Sequence, residues 1–231
     1  MRESILTIPI NEVFEPKTGC PLCRMRDIVE GHVCEYIMGA AMMEPDIRSE
    51  TNELGFCFDH YEQLLKQNNR LSLALMLDSY LEINKDKFFS FKKSNQKKLL
   101  FGKTKESPAD TCFVCSKTDW GIRHMCETIF NLFKSESEFK ALFYAQEYFC
   151  LPHYRFLLEI SEASLNKNDF LEFNAALNEV TRRYIISLNS DVHDFCQSFD
   201  YRNAGKLRQD GMERIKNSVH RAIEFLTGRK A

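Results

Sequence analysis

Apolar residues recur in steps of three and four along most of this chain, and that period predicts helices. The clearest run is Phe173, Leu177, Val180, Tyr184, Leu188, Val192, Phe195 and Phe199, one face of a long amphipathic helix. Met212, Ile215, Val219, Ala222 and Leu226 repeat the period in a final helix. Upstream, Cys20–Cys23 opens a helix to about Met42, and Glu44-Pro45 starts a short one, with proline where its missing N–H costs nothing. Asn52 to Gly55 ends that helix, Gly55 serving as a left-handed cap. Cys57 to Lys66 forms the next, Asn68-Asn69 breaks it, and a longer helix runs from Arg70 to about Phe91. Only Ile5 to Ile10 reads as extended.

The second half repeats this plan. Cys112–Cys115 opens a helix through Lys134, Ser137 starts another, and Cys150–His153 precedes a third. The expectation is an all-α protein of two duplicated helical units plus a C-terminal helix. The division places the first repeat at 1–92, a basic linker at 93–107 and the second repeat at 108–231. With 231 residues, 44% of them hydrophobic, the chain can bury one large core or two ordinary ones. Scarce glycine (9) and proline (6) also favour helices over a turn-rich β fold.

The duplication carries chemistry. Cys20-Pro21-Leu22-Cys23 is followed by Cys57-Phe58-Asp59-His60, and Cys112-Phe113-Val114-Cys115 by Cys150-Leu151-Pro152-His153. The gaps from Cys23 to Cys57 and from Cys115 to Cys150 are 34 and 35 residues. Each copy offers three thiols and one imidazole, a full tetrahedral set for zinc. The expectation is therefore two zinc ions per chain, one within each repeat, with zinc preferred over an iron–sulfur cluster. A Cys-x-x-His at a helix start puts sulfur and ring nitrogen on one face, and the helix N-terminus favours thiolate. Four protein ligands leave no open position for water, which makes the ion structural and argues against an enzyme.

His32-Val33-Cys34 and His124-Met125-Cys126 sit nine residues past Cys23 and Cys115. Nine helical residues span about 13 Å, too far to share an ion at the helix start. They read as a packing face. Cys196, His193 and His220 read as ordinary core or surface residues.

The opening Thr7-Ile8-Pro9-Ile10-Asn11, the Cys20–Cys23 turn, Met43 to Arg48, Gly55-Phe56-Cys57, Asn69-Arg70-Leu71 and Phe149 to His153 together resemble an uncharacterised bacterial family, a domain of unknown function common in anaerobic Gram-positive bacteria. The resemblance spans nearly the whole chain. It implies a cytosolic, zinc-binding protein and brings no activity.

Charge adds little: a formal net of −2 gives no general pull toward nucleic acid or anionic membrane. Met1 to Pro16 contains no apolar run long enough for a signal peptide, and no stretch approaches a membrane span. The expected compartment is the cytoplasm, where nine cysteines serve as ligands or reactive thiols rather than disulfides. Glu44, Asp46, Arg48 and Asn52 form a polar cluster present in the first half only, a candidate ligand or partner surface. The lysine-rich stretch with Lys92, Lys93, Lys97 and Lys98, interleaved with Phe88, Phe89 and Phe91, reads as a solvated linker with core-facing phenylalanines at its start, and alternatively as a nucleic-acid contact. Three functions stand: a zinc-stabilised binding or scaffold protein engaging a protein or small molecule, a redox-responsive zinc–thiolate switch, and a nucleic-acid regulator.

Overall fold

The computed structural model describes residues 8–89, 112–200 and 212–228. Among them the protein is all-α, with eleven helices, one short 3-10 turn and no strand. The helices are α1 (Ile8–Phe14), α2 (Pro21–Met38), α3 (Pro45–Leu54), α4 (Phe58–Leu65), α5 (Arg70–Phe88), α6 (Phe113–Ser135), α7 (Ser137–Tyr144), α8 (Leu151–Ser164), α9 (Lys167–Gln197), α10 (Met212–Lys216) and α11 (Ser218–Thr227); the 3-10 turn is Ala40–Met43. No described helix is long and apolar enough to cross a membrane.

Local sequence explains most boundaries. Pro45 opens α3, and Gly55 closes it at φ 61°, its N–H bonding Thr51 O at 2.9 Å. A Cβ at Gly55 would stand 3.0 Å from the Tyr80 ring, so the position requires glycine twice over. Asn69 caps α5 by accepting from Ser72 N, and Asn166 caps α9 by accepting from Asn168 N and Asp169 N. Two expectations fail. Ile8–Phe14 is helical, not extended: Pro9 occupies an early helical position, and Ile10, Val13 and Phe14 bury themselves at helical spacing. The final helix is broken at Asn217, and its buried face is Ile215, Ser218 and Phe225 while Val219 and Leu226 are exposed.

The chain forms two compact units, and they do not coincide with the repeats. One comprises residues 1–27 with 122–231; the other comprises 28–121. The expected linker 93–107 lies outside the described residues, as do Phe91, Lys92, Lys93, Lys97 and Lys98. Phe88 and Phe89 end α5 as exposed residues (48% and 85%), not core-facing as expected.

The larger unit is held by phenylalanine. Phe14 packs on Phe139 at 5.1 Å, Phe143 on Phe149 at 4.8 Å, and Phe173 receives Phe130 and Phe133 at 4.9 and 5.2 Å. Such stacked, tilted and edge-on ring pairs stabilise by about 0.5–1.5 kcal/mol each beyond area burial. Helix α9 is the support on which α7, α8, α10 and α11 pack. Its periodic face is buried through Leu188, then gives way to a buried carboxylate, Asp191. The smaller unit packs Cys34, Ile37, Met38 and Met42 against Leu64, Leu73, Met76 and Phe113. Helix α3 lies on α5, fixed by Arg48 Nη2 donating to Leu75 O at 2.6 Å and Asn84 Nδ2 donating to Asn52 O at 2.9 Å.

Candidate metal centres

All eight cysteines and histidines of the two signatures converge, but not within their own repeats. One centre gathers Cys20, Cys23, Cys150 and His153; the other gathers Cys57, His60, Cys112 and Cys115. Each takes its Cys-x-x-Cys from one half and its Cys-x-x-His from the other, which corrects the expected pairing. Helix lengths give the reason. With about 1.5 Å rise per residue, α2 carries the chain about 27 Å from Cys20–Cys23, and α3 can recover only about 15 Å. In the second half α6 spans about 35 Å and α7 about 12 Å. The return through α3 or α7 is thus shorter than the outward helix, and each Cys-x-x-His closes on the Cys-x-x-Cys of the other half.

Each centre is assembled from helix starts. In the first, Cys20 precedes α2 and Cys23 lies in its first turn, while Cys150 is the N-cap of α8 and His153 lies one turn in. Backbone bonds hold the two segments together: Glu147 N donates to Lys17 O at 3.1 Å, and Gly19 N to Glu147 Oε2 at 2.6 Å. The second repeats the plan, with Cys57 the N-cap of α4 and Phe113 N donating to Gly55 O at 2.9 Å.

The spacing fits a tetrahedral ion. With metal–sulfur bonds of about 2.3 Å and a metal–nitrogen bond of about 2.0–2.1 Å, such an ion holds its sulfurs about 3.8 Å apart and sulfur to nitrogen about 3.6 Å apart. In the first centre Cys23 and Cys150 sulfurs are 3.7 Å apart, and His153 Nδ1 lies 3.6, 3.4 and 3.1 Å from the sulfurs of Cys20, Cys23 and Cys150. In the second, Cys57 and Cys115 sulfurs are 4.0 Å apart, and His60 Nδ1 lies 3.0, 3.2 and 3.4 Å from Cys57, Cys112 and Cys115. In both, Nδ1 is the nitrogen turned toward the sulfurs.

Protonation follows from that crowding, because neighbouring thiolates repel. Burial opposes ionisation of Cys20, yet hydrogen bonds from Cys150, Cys23 and His153 hold it well below the usual thiol range. Hydrogen bonding to its neighbours pushes Cys23 sharply up and Cys150 up to about 12. In the second centre burial is outweighed at Cys112 by His60, which lowers the thiol to about 6, while burial and the Cys112 charge raise Cys115. Lowering Cys20 and Cys112 thus goes with raising their neighbours Cys23, Cys150 and Cys115; a divalent cation removes that conflict.

Two participants had no sequence signal of their own or only a weak one. Glu30 of α2 brings Oε1 to 3.2 Å from His60 Nε2, orienting the ring as carboxylates orient metal-bound histidines. Burial lowers the His60 pKa, but Cys112 and Glu30 outweigh it and raise it to about 10. Gly228 ends α11 at φ 68°, and its carbonyl meets Cys23 Sγ at 3.3 Å and Arg26 Nη2 at 3.0 Å. A Cβ there would stand 3.0 Å from the Cys150 sulfur. A glycine after a run of helical period marks a cap, but not what the cap touches.

The centres differ in exposure. Cys20, Cys150 and His153 are buried and Cys23 is half-buried; in the other centre Cys115 is exposed and Cys57 half-buried. The nine cysteines form no disulfide. Cys34 and Cys126 are fully buried and join neither donor set, while His32 and His124 are exposed, so the shared packing face is carried by the thiols. Glu44, Asp46, Arg48 and Asn52 do not converge on a common point. Glu44 and Asp46 are exposed, Glu44 receiving Tyr36 OH at 3.5 Å, whereas Arg48 and Asn52 turn into the contact of α3 with α5.

Fold and centres together define an all-helical protein with two Cys3His clusters at metal-binding distance. The whole chain, residues 1–231, matches the family described as "Family of unknown function (DUF6062)", and the protein belongs to that family. No curated protein and no solved structure matches it.

Proposed function

We propose that the protein binds two zinc ions, one in each Cys3His centre, and that the ions are structural supports for a helical binding or scaffold protein. The observation that carries this reading is the closed donor set: four protein ligands at tetrahedral spacing, drawn from helix starts far apart in the chain. Three soft thiolates and an imidazole suit zinc, and a fourth protein ligand takes the position a catalytic zinc keeps for water. Because the donors come from both repeats, each ion ties together segments that the chain brings in separately. Structural zinc contributes on the order of 10 kcal/mol in small domains, comparable with the whole stability of a typical protein.

Metal analysis of the purified chain tests this. About two zinc per chain is expected, and Cys150→Ser should lower that to about one and reduce the thermal midpoint. A brown protein with iron and acid-labile sulfide, or a chain equally stable without metal, contradicts it.

The exposure of Cys115 and half-exposure of Cys57 favour a second reading for one centre only, a zinc–thiolate switch that releases its ion on oxidation. Low peroxide should then eject about one zinc per chain, recovered on reduction; loss of both together speaks against it.

A further inference from the structure

A cavity of about 420 Å³ lies in the larger unit, lined by residues of the α1–α2 loop, the α7–α8 loop, α9, α10 and α11. None of its lining residues is a donor in either metal centre. Four cationic side chains, Lys17, Arg183, Arg214 and Arg221, line it with a single carboxylate, Glu147. Glu147 is engaged by Gly19 N at 2.6 Å. Asp191 outside the lining accepts from Arg214 Nε and Arg221 Nη2, both at 2.7 Å, so positive charge remains in excess.

The lining also holds polar atoms the fold leaves unused. Among the described residues, Gln146 Oε1 and Arg221 Nε are buried without a hydrogen-bond partner, and the buried Tyr184 hydroxyl stands beside the Arg221 guanidinium with its own proton uncommitted. Gln146 is fully buried and Tyr184 is 7% exposed. The Gln146 amide is fixed, because Nε2 donates to Phe14 O at 2.8 Å and Leu142 O at 2.9 Å. Its oxygen is therefore an acceptor turned away from both carbonyls. Burial pushes the Tyr184 hydroxyl up to about 12, so it is a donor at neutral pH. Unpaired buried groups of this kind are rare in native proteins and costly to keep. Lys17 adds a third oddity: it is the one described non-glycine residue at positive φ, 57°, a conformation retained where surroundings over-determine it.

We propose that this cavity binds hydrogen phosphate, the inorganic phosphate ion that keeps one O–H. The cations and the Tyr184 and Arg221 donors suit the charged oxygens. Gln146 Oε1 requires a donor from the ligand itself. Inorganic phosphate near neutral pH carries an O–H and supplies one; sulfate and carboxylates carry only acceptors, as does a phosphate monoester once its second proton, with a pKa of about 6, has left. The site is therefore selective by hydrogen-bond sense as well as by charge, since a buried acceptor left facing an acceptor loses affinity.

Isothermal titration calorimetry of the full chain with inorganic phosphate, methyl phosphate and sulfate tests this. Near neutral pH one inorganic phosphate per chain is expected, with sulfate and methyl phosphate at least about tenfold weaker, the factor for one hydrogen bond to a charged group. Lys17→Asn, which tolerates the positive φ, and Tyr184→Phe, which keeps the ring on Tyr148, should each weaken phosphate about tenfold with metal content and thermal midpoint unchanged. Sulfate or methyl phosphate binding as tightly as inorganic phosphate, no binding of inorganic phosphate, or full affinity in both variants overturns the proposal. The sulfate comparison needs no variant, so a misfolded substitution leaves the test intact.

Discussion

Gly228 and Glu30 show how single residues tune two centres built from the same parts. Gly228 sits against the Cys150 sulfur with positive φ, and Glu30 holds His60 Nε2. Each touches one centre only, so their substitutions should separate the two ions. Gly228→Ala should weaken retention at the Cys20 centre against a competing chelator and leave the Cys57 centre unchanged. Glu30→Gln should do the reverse, weakening the Cys57 centre by about 10–100-fold, the usual range for such outer partners. Chelator titration of each variant, read as ions released per chain, checks both. The donors themselves were legible in the sequence because Cys-x-x-Cys and Cys-x-x-His have fixed spacing. Glu30 was not, since a carboxylate seven residues past Cys23 resembles any exposed helical acid until the fold brings His60 to it.

At the scale of elements, periodicity was a good guide where burial is one-sided. Helix α3 begins and ends where Pro45 and Gly55 place it, and α5 and α9 begin at their asparagine caps, Asn69 and Asn166. It failed where burial came from elsewhere: α1 reads as extended because Ile and Pro dominate it, yet Ile10, Val13 and Phe14 supply a helical face to the phenylalanine core. In the last helices a charged residue took over a role that pattern assigns to apolar ones. Asp191 clasps Arg214 of α10 and Arg221 of α11, so these helices dock on α9 partly through a buried ion cluster. Burial opposes ionisation of Asp191, but Arg221 and Arg214 outweigh it and hold its pKa below the ordinary carboxylate range. A carboxylate with a lowered folded pKa stabilises above its unfolded value, and that stability fades as pH falls through the folded one. Asp191→Asn should thus cost about 1–3 kcal/mol near neutral pH, and the gap from the parent should narrow as the solution is acidified below pH ~4. Paired denaturation curves across pH check it; a constant gap would show that the charge is not responsible. Both chains lose metal alike in acid, so the difference isolates Asp191.

At the scale of the whole molecule, duplication and compaction follow different lines. The repeats are consecutive in sequence, but the compact units exchange the leading Cys-x-x-Cys segments of the two halves. Spacing alone could not reveal this, because 34 and 35 residues are as compatible with one pairing as with the other. The lengths of α2 and α6 decide it, and those were readable only to within a few residues. An exchanged arrangement makes each centre depend on both halves of the chain. Neither repeat expressed alone holds all four donors of either centre.

The pairing of donors is the claim on which the rest stands, and counting metal in two double variants tests it directly. Cys23→Ser with His153→Ala strikes one centre twice and should leave about one ion per chain. Cys23→Ser with His60→Ala strikes both centres and should leave about none. The opposite outcome, with the first variant emptied and the second retaining one ion, would mean that each repeat closes its own site and would contradict the exchanged architecture.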